Sequence, residues 1–144
     1  MRNDFKAAAD ANNMPFSYGT KAFLNLIANI NADKTYLHLD PPKITPIRSG
    51  TGVTTGNQAN GKFMLLVKGT LDAKYDVEQN AEGVTQKTKY QDSIEPLIPL
   101  MESVIASLEN CGQDWEVTYS YTEFINLTDE VLDGILVTFQ AKSF

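Results

Sequence analysis

The residues of this chain that are best suited to catalysis are its single histidine and its single cysteine. His38 lies between Tyr36 and Asp40 in a segment that alternates like a strand, so it is either a general base or an ordinary polar residue on the solvent face of that strand. No serine or cysteine motif of known catalytic geometry lies nearby, which favours the second interpretation. Cys111 is predicted at the C-terminal end of a helix, a position that does not activate a thiol, and we interpret it as structural.

The glycines at Gly50, Gly52 and Gly56 resemble a phosphate-binding loop superficially. Such a loop needs a strand before it, a helix after it and usually a lysine next to a serine or threonine. Here a proline-rich segment precedes the glycines, a strand is predicted after them, and the segment from 49 to 61 contains no lysine. This pattern excludes a phosphate loop.

The carboxylates of Asp129, Glu130 and Asp133 are the remaining chemical candidate. The other positions of an EF-hand loop are missing around them, so calcium binding is the weaker interpretation and a solvated acidic turn near Asp133-Gly134 is the preferred one. A single histidine and a single cysteine exclude His-pair and Cys-rich metal sites. We therefore predict no enzyme activity, no cofactor and no metal.

Length and composition predict one globular domain. The chain has 144 residues, of which 42% are hydrophobic and 21% are charged, which is typical of a protein that buries a core. The net charge of −6 and the pI near 4.7 disfavour wholesale binding to DNA or to anionic membranes. The start of the sequence, Met1 to Lys6, lacks the apolar core typical of a signal peptide, and the longest purely apolar run, Phe63 to Val67, is too short to span a membrane. We expect no membrane association.

Apolar periodicity predicts the elements that hold these residues. Residues 1–19 are polar and rich in breakers, and we predict an N-terminal arm followed by a single domain over residues 20–144. Apolar stripes predict helices over residues 20–32 and 92–111, the second with a capping box at Asp92 and Glu95 and a stop at Gly112. Strand patterns occupy residues 35–39, 44–47, 62–71, 115–123 and 135–141, with the last two forming an antiparallel hairpin.

Two stretches between these elements carry no core signal and are predicted as long connections, residues 49–61 and 72–91. The first is rich in glycine and is either a long loop or the tip of a hairpin. The element order predicts an α+β fold, a largely antiparallel sheet of four or more strands with two helices packed on one face.

Charge is divided unevenly along the chain. Residues 1–72 contain eight Lys/Arg and five Asp/Glu, a net charge of +3, whereas residues 73–144 contain four and 13, a net charge of −9. If the two halves lie on different sides of the fold, identical subunits can meet positive side to negative side, a heterologous contact that closes into rings. Chance segregation within one sheet is the alternative.

Several stretches resemble known ring proteins of tailed bacteriophages. The element order is similar to that of tail-terminator (tail-completion) proteins, which are small α+β subunits. Four stretches resemble neck and tail ring proteins of phages that infect Bacteroides and its relatives, including crAss-like phages: Leu39-Asp40-Pro41-Pro42, residues 61–68, Ile94-Glu95-Pro96-Leu97, and the segment from Asn126 to Phe139 with its Asp133-Gly134 pair. The resemblance spans roughly residues 20–142.

The resemblance implies a structural virion protein. It implies a homo-oligomeric ring of six or twelve copies in the phage neck or tail, assembled in the host cytoplasm, that contacts portal-side or tail proteins. DNA would pass through its lumen without sequence-specific binding, and an acidic lumen would let the phosphates slide. Loops of this family contact neighbours, which implies contact segments at Ser49–Asn60 and Tyr75–Lys89. The interface residues that we predict in and beside them are Arg48, Val53, Gln58, Tyr75, Val77, Lys87 and Lys89.

A different class of function stays open beside this one. Trp115, Tyr119 and Tyr121 alternate on one face of a predicted strand and are either part of the core or the wall of a pocket. In the second case the domain is a small-molecule or peptide-binding module.

Overall fold

The fold is α+β, as the sequence predicts. The computed structural model describes residues 1–19, 31, 33–68, 90–124 and 132–144. Within these residues, two α-helices pack against one face of a mostly antiparallel six-stranded sheet. The elements are α1 (Arg2–Ala11), β1 (Phe16–Tyr18), β2 (Tyr36–Leu39), β3 (Lys43–Arg48), β4 (Thr54–Lys68), a π-helical turn (Tyr90–Ile94), α2 (Leu97–Glu109), β5 (Glu116–Phe124) and β6 (Leu132–Ser143).

The N-terminal segment is part of the core, and the prediction of an arm over residues 1–19 is wrong. Phe5, Ala8 and Ala9 follow one face of α1 at the helical spacing and are buried against the sheet. On the solvent side, Lys6 donates to Asp10 at 2.9 Å, one turn further on. A polar segment with a single large apolar residue gives a weak periodic signal, although alanine is the strongest helix former. β1 then adds to the sheet as a parallel neighbour of β2.

β4 is the central strand and separates two apolar layers. Phe63 and Leu65 face the helices in the main core, whereas Leu66 belongs to a smaller cluster with Tyr36 and Leu132 on the opposite face. The apolar run from 63 to 67 predicts this covering on both sides. The strand order is β1-β2-β4-β6-β5, and β3 pairs with the first half of β4 on the same side as β2.

β2 and β3 pair with successive parts of β4, and the bend at Asp40-Pro41-Pro42 separates them. Asp40 N–H still donates to the Lys62 carbonyl, but the prolines have no N–H to continue the ladder. Gly61 lies opposite the bend, and a Cβ there would lie 2.9 Å from Pro42 Cβ. The edge strand predicted beyond Pro42 is therefore present as β3.

The glycine-rich stretch at 49–61 is the tip and the second strand of a hairpin, so a long loop over that whole range is wrong. The turn occupies only Ser49–Val53, where Ser49 N–H donates to the Val53 carbonyl and Val53 N–H donates to Ser49 Oγ. Residues 54–61 are already β4, where backbone pairing with β3 and β6 substitutes for the missing large side chains. Gly52 adopts φ +82°, a conformation that glycine takes without strain.

The predicted long helix is present but differs at both ends. The π-helical turn ends at Ile94, and α2 begins at Leu97 after Pro96, without a side-chain cap, so the capping box at Asp92 and Glu95 is wrong. Pro99 falls in the first turn of α2, where no backbone donor is needed. The helix ends at Glu109, because the Asn110 side chain donates to the Ala106 carbonyl. Gly112 is therefore not the helix stop.

β5 and β6 form the antiparallel pair that their alternation predicts. The expected turn at Asp133-Gly134 is wrong, because both residues lie inside β6. Asp133 is fully buried and is therefore not part of a solvated acidic turn. A Cβ on Gly134 would contact the Leu65 carbonyl oxygen, so only glycine allows β4 and β6 to pair this closely here.

Some predictions lie outside the described residues. These are the helix over 20–32 apart from residue 31, the end of the third predicted strand at 69–71, the connection at 72–89, and the carboxylates at 129 and 130. Where the chain is described, no helix combines the length and apolar character that crossing a membrane requires.

Candidate functional site

A buried hydrogen-bonded chain joins β1 to the end of β2. Ser17 Oγ lies 2.7 Å from His38 Nδ1, and His38 Nε2 lies 3.2 Å from Asp40 Oδ1. His38 is 0% exposed, so the interpretation of this residue as an ordinary residue on a solvent face is wrong. The parallel register of β1 and β2, which sets Ser17 beside His38, brings the chain together from residues 21 positions apart.

The hydrogen-bonding groups define the tautomer of His38. A carboxylate accepts only, so Nε2–H donates to Asp40, and Nδ1 accepts from the Ser17 hydroxyl in the neutral ring. Burial lowers the pKa of His38 below its ordinary value of 6.5, because loss of hydration outweighs the attraction of Asp40 for the charged ring. The imidazole of His38 is therefore neutral, and its hydrogen bonds to Ser17 and Asp40 fix the start of the Asp-Pro-Pro bend.

This burial predicts a pH dependence of stability. The unfolded chain takes up a proton at His38 near its ordinary pKa of 6.5, whereas the folded chain resists it until lower pH. The titration of His38 therefore leaves the free energy of unfolding unchanged above pH 6.5 and lowers it as the pH falls below that value. We expect the urea midpoint to fall between pH 7.5 and pH 5.5 by more in the wild type than in His38→Gln, which cannot titrate. Equal falls in the two proteins would contradict it, and NMR of the single histidine gives its pKa directly.

Among the described residues, β5 is an edge strand, and it carries exposed side chains on both faces. Thr118, Ser120 and Thr122 are exposed on one face, while Tyr119 and Tyr121 are 40% and 43% exposed on the other. The six residues from 117 to 122 are uncharged and contain no proline or glycine. Natural edge strands usually carry lysine, proline or a bulge that blocks further pairing. The β5 edge, residues 116–124, lacks these protections in its middle.

The edge formed by β3 has the protections that β5 lacks. Lys43, Pro46 and Arg48 occupy the strand, and its register shifts between Ile47 and Arg48. At the tip, the Arg48 guanidinium donates to the Gly52 carbonyl at 2.6 Å and closes the turn. We call this side of the molecule the β3 edge and define it by Tyr18, Lys43, Ile44, Arg48 and Val53. The β3 edge cannot pair with a further strand along its whole length, but its side chains are exposed.

Exposed apolar groups concentrate on these two edges. Six large apolar side chains are exposed among the described residues, and five belong to the edges: Tyr18, Ile44 and Val53 on the β3 edge, and Tyr119 and Tyr121 on the β5 edge. The sixth is Phe144. Exposed apolar groups that cluster rather than scatter mark interaction surfaces. The strand order puts β4 and β6 between the two edges, so the two edges lie on opposite sides of the sheet.

Charge divides in the same way. β1 to β4 contain four lysine or arginine residues and no aspartate or glutamate. Residues 90–124, which form the π-helical turn, α2 and β5, contain seven aspartate or glutamate residues and no lysine or arginine. On the strands that form the two edges, β3 therefore carries Lys43 and Arg48, whereas β5 carries Glu116 and Glu123.

A hollow of about 320 Å³ lies on the helix side of the sheet beside the β3 edge. Tyr18, Pro42, Ile44 and Trp115 supply its apolar walls. Asn57, Gln113 and the guanidinium of Arg2 supply its polar groups. The Arg2 side chain is held over the rings of Phe16 and Tyr18 at 5.5 and 5.6 Å.

The three aromatic residues that the sequence groups together lie in two different places, the hollow and the β5 edge. Trp115 is 4% exposed, donates to Asp4 Oδ2 at 3.3 Å and lines the hollow. Tyr119 and Tyr121 are exposed on the β5 edge, so the three residues do not form one continuous pocket wall. A sequence alternation fixes a common strand face but not how far the helices cover that face.

A second, shallow depression of about 580 Å³ lies on the face opposite the helices. Lys62, Ser120 and Thr138 are exposed there, and Gln140 donates to Asn60 Oδ1 at 3.1 Å. The structure groups no three histidine, cysteine, aspartate or glutamate side chains as a metal site within the ranges it describes. Cys111 is partly buried and packs against the main core.

The predicted interface residues fall into two groups. Arg48 and Val53 lie at the hairpin tip, where Val53 is 61% exposed, and Gln58 is half-buried in β4, between β3 and β6. Tyr75, Val77, Lys87 and Lys89 lie outside the described residues. The exposed Tyr18, Ile44, Tyr119 and Tyr121 are absent from the predicted set, because edge positions depend on strand order.

No protein-family model and no curated protein sequence matches this chain.

Proposed function

We propose that this protein is a structural subunit that assembles head to tail into a ring in the neck or tail of a tailed phage. The observation that carries the proposal is that two different edges with exposed apolar side chains lie on opposite sides of one sheet. A heterologous contact between unlike surfaces forms a ring when its rotation closes, whereas a contact between like surfaces stops at a dimer. The resemblance to tail-terminator and neck ring proteins supports the location in the virion.

Charge supports contact between the two edges. Lys43 and Arg48 of the β3 edge would face Glu116 and Glu123 of the β5 edge of the next copy. The same arrangement opposes contacts of either edge with itself, because like charges would then meet. The apolar residues on both edges supply the area that a stable contact needs, and the charges select its direction.

The acidic segment from 90 to 124 suits a ring around DNA. Glu102 and Glu109 are exposed and seven residues apart on α2, so they lie along one face of that helix. An acidic lumen gives no counterion release on contact with phosphates, so DNA passes without being held. In this proposal α2 faces the channel, the partners are further copies and adjoining neck or tail proteins, and no cofactor takes part.

The assembly state tests the proposal directly. Native mass spectrometry and negative-stain microscopy of the purified protein at high concentration should reveal closed rings of one copy number with an open centre. A protein that stays monomeric at the highest attainable concentration, or that stops at a dimer, would contradict self-assembly into a ring. Labelling of intact virions with antibody then tests the location, and label confined to the neck or tail is the expected result.

Charge reversal tests which edges meet. Lys43→Glu and Glu116→Lys should each weaken the subunit contact by about 1 kcal/mol, roughly fivefold in the dissociation constant, because each creates a like-charge contact. The two changes together in one chain should restore it, since every contact then pairs opposite charges again.

Two features sharpen this charge-reversal experiment. Lys62→Glu is the matched control for Lys43→Glu, because this exposed lysine lies in the central strand β4 rather than on an edge strand and gives the same change in net charge. Glu116 lies opposite Lys142 of its own β6, so its effect should be the smaller of the two. Failure of the double variant to assemble better than the single ones would exclude contact between these edges.

A peptide- or small-molecule-binding module is the second candidate, and the hollow beside the β3 edge favours it. Its volume lies at the lower end of the range for ligand sites, and it combines apolar walls with an arginine and two amides. A ligand in this hollow would change the fluorescence of Trp115, the only tryptophan of the chain, without any change in assembly state.

A further inference from the structure

We infer that the hollow beside the β3 edge is the docking site for Tyr121 from the β5 edge of a second copy. This inference rests on the proposed head-to-tail assembly and specifies its contact. It differs from strand addition, because β3 is protected by Pro46 and by its register shift and cannot accept a long strand. The contact is then made by side chains.

The chemistry of the hollow suits a tyrosine. Pro42, Ile44 and Trp115 offer apolar surface for the ring, and the Asn57 and Gln113 amides offer donors and acceptors for the hydroxyl. A volume of about 320 Å³ is enough for one aromatic side chain rather than for a whole strand. Arg2 adds a cation beside the aromatic wall, which favours a π face or an acidic neighbour.

The β5 edge supplies the matching group. Tyr121 is 43% exposed at the centre of the uncharged stretch, and Glu123 follows two residues later on the same face of the strand. Tyr, Trp and Arg are the residues that most often dominate contacts between proteins, and both sides of this contact contain them. Tyr119, also on that face, would pack against the rim at Ile44.

The sheet keeps Tyr121 too far from the hollow of its own copy to dock there. β3 and β5 are separated by β4 and β6, about three strand spacings or 14 Å. Two cysteines form a disulfide only when their Cα atoms lie within about 7 Å. A disulfide between a cysteine at position 45 and one at position 122, which adjoin Ile44 and Tyr121, therefore forms only between copies, and it reports the proposed contact.

The experiment combines Thr45→Cys with Thr122→Cys in a Cys111→Ser background under mild oxidation, so that Ile44 and Tyr121 both stay in place. We expect a ladder of covalent multimers up to the ring number. The matched control pairs Thr45→Cys with Thr118→Cys, which lies on the same face of β5 four residues away from position 122 and should cross-link at least about tenfold more slowly. Positions 45, 118 and 122 are all exposed, so the substitutions should leave the fold intact, as circular dichroism verifies.

The outcomes separate this inference from the proposed function. Wild-type rings without cross-linking of the 45–122 pair would overturn the docking and leave the ring in place. Cross-linking of Thr122→Cys alone into dimers would show β5 pairing with itself and overturn the inference. Absence of any oligomer would overturn both. As a second readout, the Trp115 emission should change with protein concentration in the wild type and not in Tyr121→Ala.

Discussion

Phe5→Ala should destabilise the protein by about 3–5 kcal/mol, because it empties the centre of the core. Phe5 is 0% exposed, and its ring centroid lies 5.1 Å from that of Phe63 and 5.3 Å from that of Phe139. These three rings join α1 to β4 and β6. A loss of this size approaches the whole stability of many domains, so the variant should be partly unfolded at room temperature.

Urea denaturation of the wild type and of two variants measures this effect. The control is Lys6→Ala, the next residue along α1, which is exposed and loses only a surface ion pair worth at most about 0.5 kcal/mol. A Phe5→Ala variant within about 1 kcal/mol of the wild type would show that α1 detaches at little cost, as an arm would.

Gly134→Ala should destabilise the protein by about 3 kcal/mol or more. The new Cβ would contact the Leu65 carbonyl oxygen and lie 2.9 Å from the Phe124 ring. A backbone oxygen in a central ladder cannot rotate away as a flexible side chain can, so β4 and β6 must separate locally. The cost exceeds the usual range for an extra methyl group in a core because the backbone has to move.

Gly112→Ala is the matched control, because no atom lies within 4 Å of the Cβ it would add. It removes backbone freedom from the unfolded chain and should be neutral or slightly stabilising. Thermal unfolding of both variants gives the comparison. Similar melting temperatures for Gly134→Ala and the wild type would mean that β6 is paired differently around residue 134.

Periodicity identified the elements that have a strong apolar pattern. The central strand is predicted by an apolar run that needs cover on both faces, and the structure covers both faces of β4. The alternation of residues 115–123 and 135–141 predicts two paired strands, and β5 and β6 pair in antiparallel register. Local patterns suffice here because they follow from side-chain direction along the chain.

Local patterns failed where burial comes from distant parts of the chain. Nothing in the polar segment from 1 to 19 shows that Phe5 meets Phe139, since that contact depends on packing between the two ends of the sequence. His38 alternates like a solvent-facing residue, yet it is fully buried and hydrogen-bonded to Ser17 and Asp40. The Asp133-Gly134 pair resembles a turn, but the long pairing of β4 with β6 extends through it.

The sequence by itself determined the α+β class, the strongest strands and the excess of acidic residues in its second half. Only the tertiary structure decided that β3 and β5 lie on opposite edges, with a lysine and an arginine on the first and two glutamates and two exposed tyrosines on the second. The physical reason is that composition and periodicity are properties of neighbouring residues, whereas an edge is defined by which strand has no further partner. That depends on pairings such as β4 with β6, across more than half of the chain.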